Sequence, residues 1–118
     1  MSSDRMQRVF QLSVSSVYPL YVQKVERKGR TVAELDRVIS WLTSFDSVHV
    51  HELLDAGTTF QDFFAQASLN PNASKITGVI CGIRVEDIED PLTQQIRYLD
   101  KLVDELAQGK DIEKILRR

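Results

Sequence analysis

Cysteine is nearly missing from this 118-residue chain: Cys81 stands alone. No disulfide can therefore close within it, and a reducing compartment is the natural expectation. No apolar run approaches the ~20 residues that a bilayer span needs. No basic-then-apolar leader opens the sequence either, so the expected setting is cytoplasmic, with no membrane partner. Neither sign of charge dominates: 15 basic residues against 17 acidic ones give a net charge of −2. A general nucleic-acid binder carries a basic excess, so nucleic acid is disfavoured as a partner. Proline and glycine number only three and five, and no linker, repeat or low-complexity tract interrupts the chain.

What is present is ordinary for a soluble protein: 42% hydrophobic and 27% charged residues. The length suits one domain, residues 1–118, able to bury roughly two-thirds of its unfolded surface. The polar residues 1–8 read as a disordered tail.

The clearest structural signal runs from Asp90 to Gly109. Asp90 suits an N-cap and Pro91 the first helical position. Leu92, Ile96, Leu99, Val103 and Leu106 then recur at helical spacing, with Leu102 beside them. Gln94, Arg97, Lys101, Asp104 and Glu105 fall on the opposite, polar face, and Gly109 closes the helix.

Earlier in the chain, Phe10, Leu12 and Val14 alternate with polar residues, which predicts a short strand or extended arm. Ser16 can cap a helix reaching Lys28, with Pro19 in its first turn. Thr31 and Glu34 form a capping box for the next helix, joined to the first through Gly29. Asp46 or Ser47 opens a third helix. Thr58 with Gln61 opens a fourth, whose buried side is Phe60, Phe63, Phe64 and Ala67. Asn70-Pro71-Asn72 reads as a turn, and Asp111 caps a last short helix.

Residues 74–88 fit two periods. Ile76, Val79, Ile80 and Ile83 match a helix, whereas Thr77, Val79, Cys81, Ile83 and Val85 match a strand. The cap at Asn72 or Ser74, together with Gly78 and Gly82 four apart, tips the reading towards helix. The predicted fold is mostly α: five or six short helices around a long helix, 91–108. The alternative is α+β, with strands near 10–14 and 77–85.

Several runs resemble one bacterial family. They are Val17-Tyr18-Pro19-Leu20-Tyr21-Val22, Glu26-Arg27-Lys28-Gly29-Arg30-Thr31, Trp41-Leu42-Thr43, Asn70-Pro71-Asn72, Ile76-Thr77-Gly78-Val79-Ile80-Cys81-Gly82 and Ile96-Arg97-Tyr98-Leu99-Asp100-Lys101-Leu102. The family is domain of unknown function 2200, and the resemblance spans about Arg8 to Arg118. It implies a cytoplasmic bacterial protein and brings no activity or catalytic residues. In the pattern it resembles, a glycine follows Trp-Leu-Thr where this chain has Ser44, and the His49/His51 segment is atypical.

Candidate chemistry is thin. Cys81 lacks a local activating signature, with Arg84 three residues on, and a small buried thiol is the commoner case. His49 and His51 lack a third ligand, so neither a metal nor a cofactor is expected. Glu86, Asp87, Glu89 and Asp90 lack the spacing of a calcium loop and suit the lead-in to a helix N-terminus. Lys24, Arg27, Lys28 and Arg30 cluster at a helix C-terminus, where the dipole alone favours cations. Tyr18 and Tyr21 lie on the same helix, so an aromatic-plus-basic binding surface emerges. Arg97 joins it as a further candidate ligand-binding residue. The favoured function is a non-enzymatic binding or interaction module of unknown ligand, with self-association into a homo-oligomer compatible with it. The alternative is a small-ligand-binding protein or enzyme whose pocket gathers Tyr18, Tyr21, Cys81, Arg84 and Arg97.

Overall fold

A computed structural model describes residues 3–117, with side chains from Gln7 onward. The long helix α6, Pro91–Ala107, lies at its centre. The Asp90 carboxylate accepts the Thr93 amide at 2.9 Å and holds its own pKa below the usual range by hydrogen bonding to Thr93. Ile96, Leu99, Leu102, Val103 and Leu106 are all buried, as is Tyr98. Each such apolar side chain contributes on the order of 1.5–3 kcal/mol by leaving water. Leu92, at the helix start, is only partly buried. Glu105, expected on the polar face, is 6% exposed. A buried carboxylate needs paired cations, and Arg117 supplies two bonds to it, at 2.6 and 2.8 Å.

The remaining helices are α1 (Ser3–Gln11), α2 (Val14–Arg27), α3 (Val32–Thr43), α4 (Ser47–Asp55), α5 (Phe60–Gln66) and α7 (Ile112–Ile115). Among the described residues this makes seven α-helices, and their buried apolar side chains form one cluster. The mostly α reading holds.

The strand expected at 10–14 is not formed. Phe10 lies in α1, which packs on α5. Only the break between α1 and α2 is extended, where Ser13 bridges Thr59 and the Phe60 amide reaches the Leu12 carbonyl at 3.0 Å. Three alternating apolar residues cannot outweigh a helix that gains a packing partner. Of the polar tail expected over 1–8, residues 3–8 belong to α1, and residues 1 and 2 lie outside the described residues.

Caps explain most helix starts. Thr31 and Glu34 form the reciprocal capping box of α3, and Asp46 caps α4. α2 starts at Val14 rather than after Ser16, whose hydroxyl donates back to the Ser13 carbonyl at 2.7 Å. Pro19 therefore sits inside the helix. Thr59, not Thr58, caps α5, because the Thr58 backbone is already engaged with Leu53 and Val14. Ser44 ends α3 with φ +65, left-handed, which explains why a glycine suits that position.

The helix favoured over 74–88 is overturned. The segment holds a 3-10 turn, Pro71–Lys75, then an antiparallel hairpin of β1 (Val79–Ile80) and β2 (Ile83–Arg84). Cys81 and Gly82 form its two-residue loop, with φ +52 and +79. Left-handed backbone at both central positions is what this tight loop requires. The glycines that suggested close helix approach serve turns instead. Gly78 has φ +110, and a Cβ there would lie 3.2 Å from Lys101 Cε.

Candidate functional site

α2 carries two tyrosines one turn apart, and each is tied to an aspartate of a different helix. The Tyr21 hydroxyl, buried, donates to Asp100 Oδ1 on α6 at 2.7 Å. Arg97 Nη1 donates to Asp100 Oδ2 at 3.0 Å and lies 3.5 Å from Cys81 Sγ. Burial pushes the Tyr21 phenol well above its ordinary pKa. The Asp100 charge adds to this and Arg97 opposes it. Cys81 is exposed on the hairpin loop rather than buried. Three of the residues in the alternative pocket, Tyr21, Arg97 and Cys81, are thus linked through Asp100.

Tyr18 goes elsewhere. Its hydroxyl donates to Asp36 Oδ1 of α3 at 2.6 Å, and His51 Nε2 of α4 lies 2.9 Å from Asp36 Oδ2. The Tyr18 and His51 rings meet edge to face at 5.7 Å. Desolvation, then the bond to Asp36, raises the Tyr18 pKa. An open groove of about 450 Å³ beside this group is lined by Ala33, Asp36, Arg37, Ser40, Asp46 and Ser47. His49, two residues before His51, packs against Phe45 instead.

The cations divide by partner. Arg30 is structural: it holds Glu34 at 2.8 Å and caps the end of α6 through the Leu106 and Lys110 carbonyls, at 3.2 and 2.9 Å. Its guanidinium is the main reason that Glu34 titrates below the usual range. Lys24 pairs with Asp104 of α6 at 3.2 Å. Arg84 is exposed and lies 3.8 Å from Glu86. Arg27 and Lys28 are exposed, and their side chains have no ion pair or hydrogen bond among the described residues. They line an open groove of about 390 Å³ with Leu20, Gln23 and Lys24. Leu20 is 59% exposed. The expected aromatic-plus-basic surface is therefore an apolar-plus-basic one, with both tyrosines turned inward.

The pairing of Asp36 with His51 escaped sequence reasoning, which weighed His51 only as a metal ligand. The two sit fifteen residues apart on different helices, with no local spacing to join them. Arg97 and Asp100 carried a usable signal, the i,i+3 pairing of opposite charges on one helix. Among the described residues, no three His, Cys, Asp or Glu side chains converge to hold a metal ion. No helix of the described residues is long and apolar enough to cross a membrane.

A family described as an uncharacterized protein conserved in bacteria (DUF2200) matches residues 8–117. The crystal structure of uncharacterized protein SP1917 superposes with a TM-score of 0.88 at 45% sequence identity, over 93% of this chain and 91% of that one. No curated protein matches the chain.

Proposed function

This chain belongs to the DUF2200 family of uncharacterized proteins conserved in bacteria, which brings no activity with it, and we propose from its own geometry a small non-enzymatic module that binds an anionic partner on the exposed face of α2. One observation carries the reading. Arg27 and Lys28 are exposed, without side-chain partners among the described residues, and line a groove that also presents Leu20. The other cations of the sequence cluster are committed, Lys24 to Asp104 and Arg30 to Glu34 and the α6 terminus. A face that leaves cations unpaired beside an exposed leucine suits an anionic ligand with some apolar surface. The probe is pyrophosphate, followed by amide NMR shifts. It should perturb Leu20 to Lys28, weaken as salt rises, and lose its effect in the Arg27→Ala/Lys28→Ala double variant. Binding unchanged by that variant and insensitive to salt would end the reading.

A second reading, a small-ligand site or enzyme, draws on the link from Tyr21 through Asp100 and Arg97 to Cys81. Because the thiol is exposed, fast alkylation alone cannot separate activation from access. An alkylation rate that drops in Arg97→Gln supports this reading. An unchanged rate leaves an ordinary exposed thiol.

A further inference from the structure

We infer that the partner of the α2 face is a second copy of this chain, joined in a two-fold dimer across α6. The inference rests on the reading of α2 as a binding face and names its occupant.

Side-chain contacts place three elements side by side. α2 flanks α6 in parallel: Tyr21 meets Asp100, Lys24 meets Asp104, and Arg30 reaches the carbonyls of Leu106 and Lys110. The hairpin runs the opposite way along α6. Val79 is level with Lys101, Cys81 with Arg97, and Val85 with Gln94. Arg27 and Lys28 therefore lie towards the C-terminal end of α6 on one flank. Asp87 and Glu89 lie towards its N-terminal end, after the hairpin on the other flank. Both acids are exposed, and neither side chain has a partner among the described residues. Glu86, by contrast, is occupied with the Gly78 amide and Arg84.

In the proposed dimer these two charged ends share one face, and opposite charges so placed are self-complementary. A two-fold axis in the plane of that face exchanges the ends, so each copy's cations meet the other copy's acids, twice per dimer. Apolar surface accompanies the charge. Leu20 on α2 and Val79 and Ile83 on the hairpin, 59%, 53% and 48% exposed, are three of the five large hydrophobics left exposed among the described residues. A stable interface needs about 800 Å² per partner, which one face of a 36 × 32 × 27 Å molecule can supply.

Sedimentation analysis of the full chain tests this. The wild type should dimerise with rising concentration and dissociate at high salt. Arg27→Glu/Lys28→Glu should weaken the dimer by about a hundredfold or more, because like charges then face each other. Asp87→Lys/Glu89→Lys should do the same. Mixing the two variants should restore dimers, since both contacts are then complementary, and a misfolded variant could not be rescued this way. A wild type that stays monomeric at all concentrations overturns the inference, and so does a dimer that survives in both variants. Pyrophosphate binding at α2 by a strictly monomeric protein would sink the dimer while leaving the anion-binding face intact. A salt-sensitive dimer without pyrophosphate binding would keep the inference and confine the face to protein partners.

Discussion

Tyr18 and Tyr21 sit three residues apart on α2 and make the same kind of bond, phenol to aspartate, at 2.6 and 2.7 Å. Their settings differ. Tyr21 is buried, and its acceptor Asp100 is already shared with Arg97 of the same helix. Tyr18 is half-buried, and its acceptor Asp36 is shared with His51, which stays in contact with water. Equal distances therefore do not imply equal energies. A buried bond to a charge is costly to strand, whereas a bond at the surface can be replaced by water. The two tyrosines fasten α2 to α6 on one side and to α3 on the other, and the α6 attachment should dominate.

Truncation is the most severe way to break the comparison. Tyr21→Ala should cost about 3–5 kcal/mol of unfolding free energy, since it opens a cavity and leaves the Asp100–Arg97 pair without its phenol. Tyr18→Ala should cost clearly less, as a half-buried ring leaves less void. Denaturant unfolding of both variants measures the difference, and equal losses would show that burial does not separate the two positions.

Removing only the hydroxyls sharpens the contrast. Tyr21→Phe should cost about 1.5–3 kcal/mol, the range for a hydrogen bond to a charged group. Tyr18→Phe should fall below it, because Asp36 keeps His51 and solvent. The alkaline limb of stability should follow the same order. Burial raises both phenols above their ordinary value, Tyr21 the more deeply buried. The folded chain then holds protons that the unfolded chain releases above about pH 10, so stability is present below that point and falls as pH rises past it. Tyr21→Phe should flatten this fall more than Tyr18→Phe. The reverse order would mean that the surface bond carries the coupling.

Much of the frame that positions these residues was legible in the sequence, and the reasons are local. Asp90, Pro91 and the apolar stripe of α6 all pointed one way, as did the Thr31–Glu34 box. Where two periods fitted one short run, at residues 74–88, the deciding fact was the left-handed backbone at Cys81, a residue that rarely adopts it. Phe10, Leu12 and Val14 misled because α5, forty-six residues beyond Val14 at its first residue Phe60, supplies the contact that makes α1 a helix. Glu105 looked like a surface acid because its partner Arg117 is twelve residues away, past the end of the helix. Of the candidate site, the cations at the end of α2 were visible from their clustering. Which of them remain unpaired was not, since Asp104, Leu106 and Lys110 lie some eighty residues further along. The inward turn of both tyrosines was open to reading, since Tyr18, Tyr21, Val22 and Val25 recur at helical spacing, but their acceptors Asp36 and Asp100 lie on other helices.

The smallest effect offers the finest test of whether the two phenol–carboxylate groups act separately. His51→Ala removes a half-exposed partner from Asp36 and should cost no more than about 1 kcal/mol. Combined with Tyr18→Phe, it should show non-additivity of at least about 0.5 kcal/mol, because both side chains bond the two oxygens of one carboxylate. Combined with Tyr21→Phe, it should be additive within about 0.5 kcal/mol, because those residues share no acceptor. Coupling between His51 and Tyr21 as large as that with Tyr18 would mean that α2 passes strain from one cluster to the other. The face of α2 proposed to bind anions would then be tied to both.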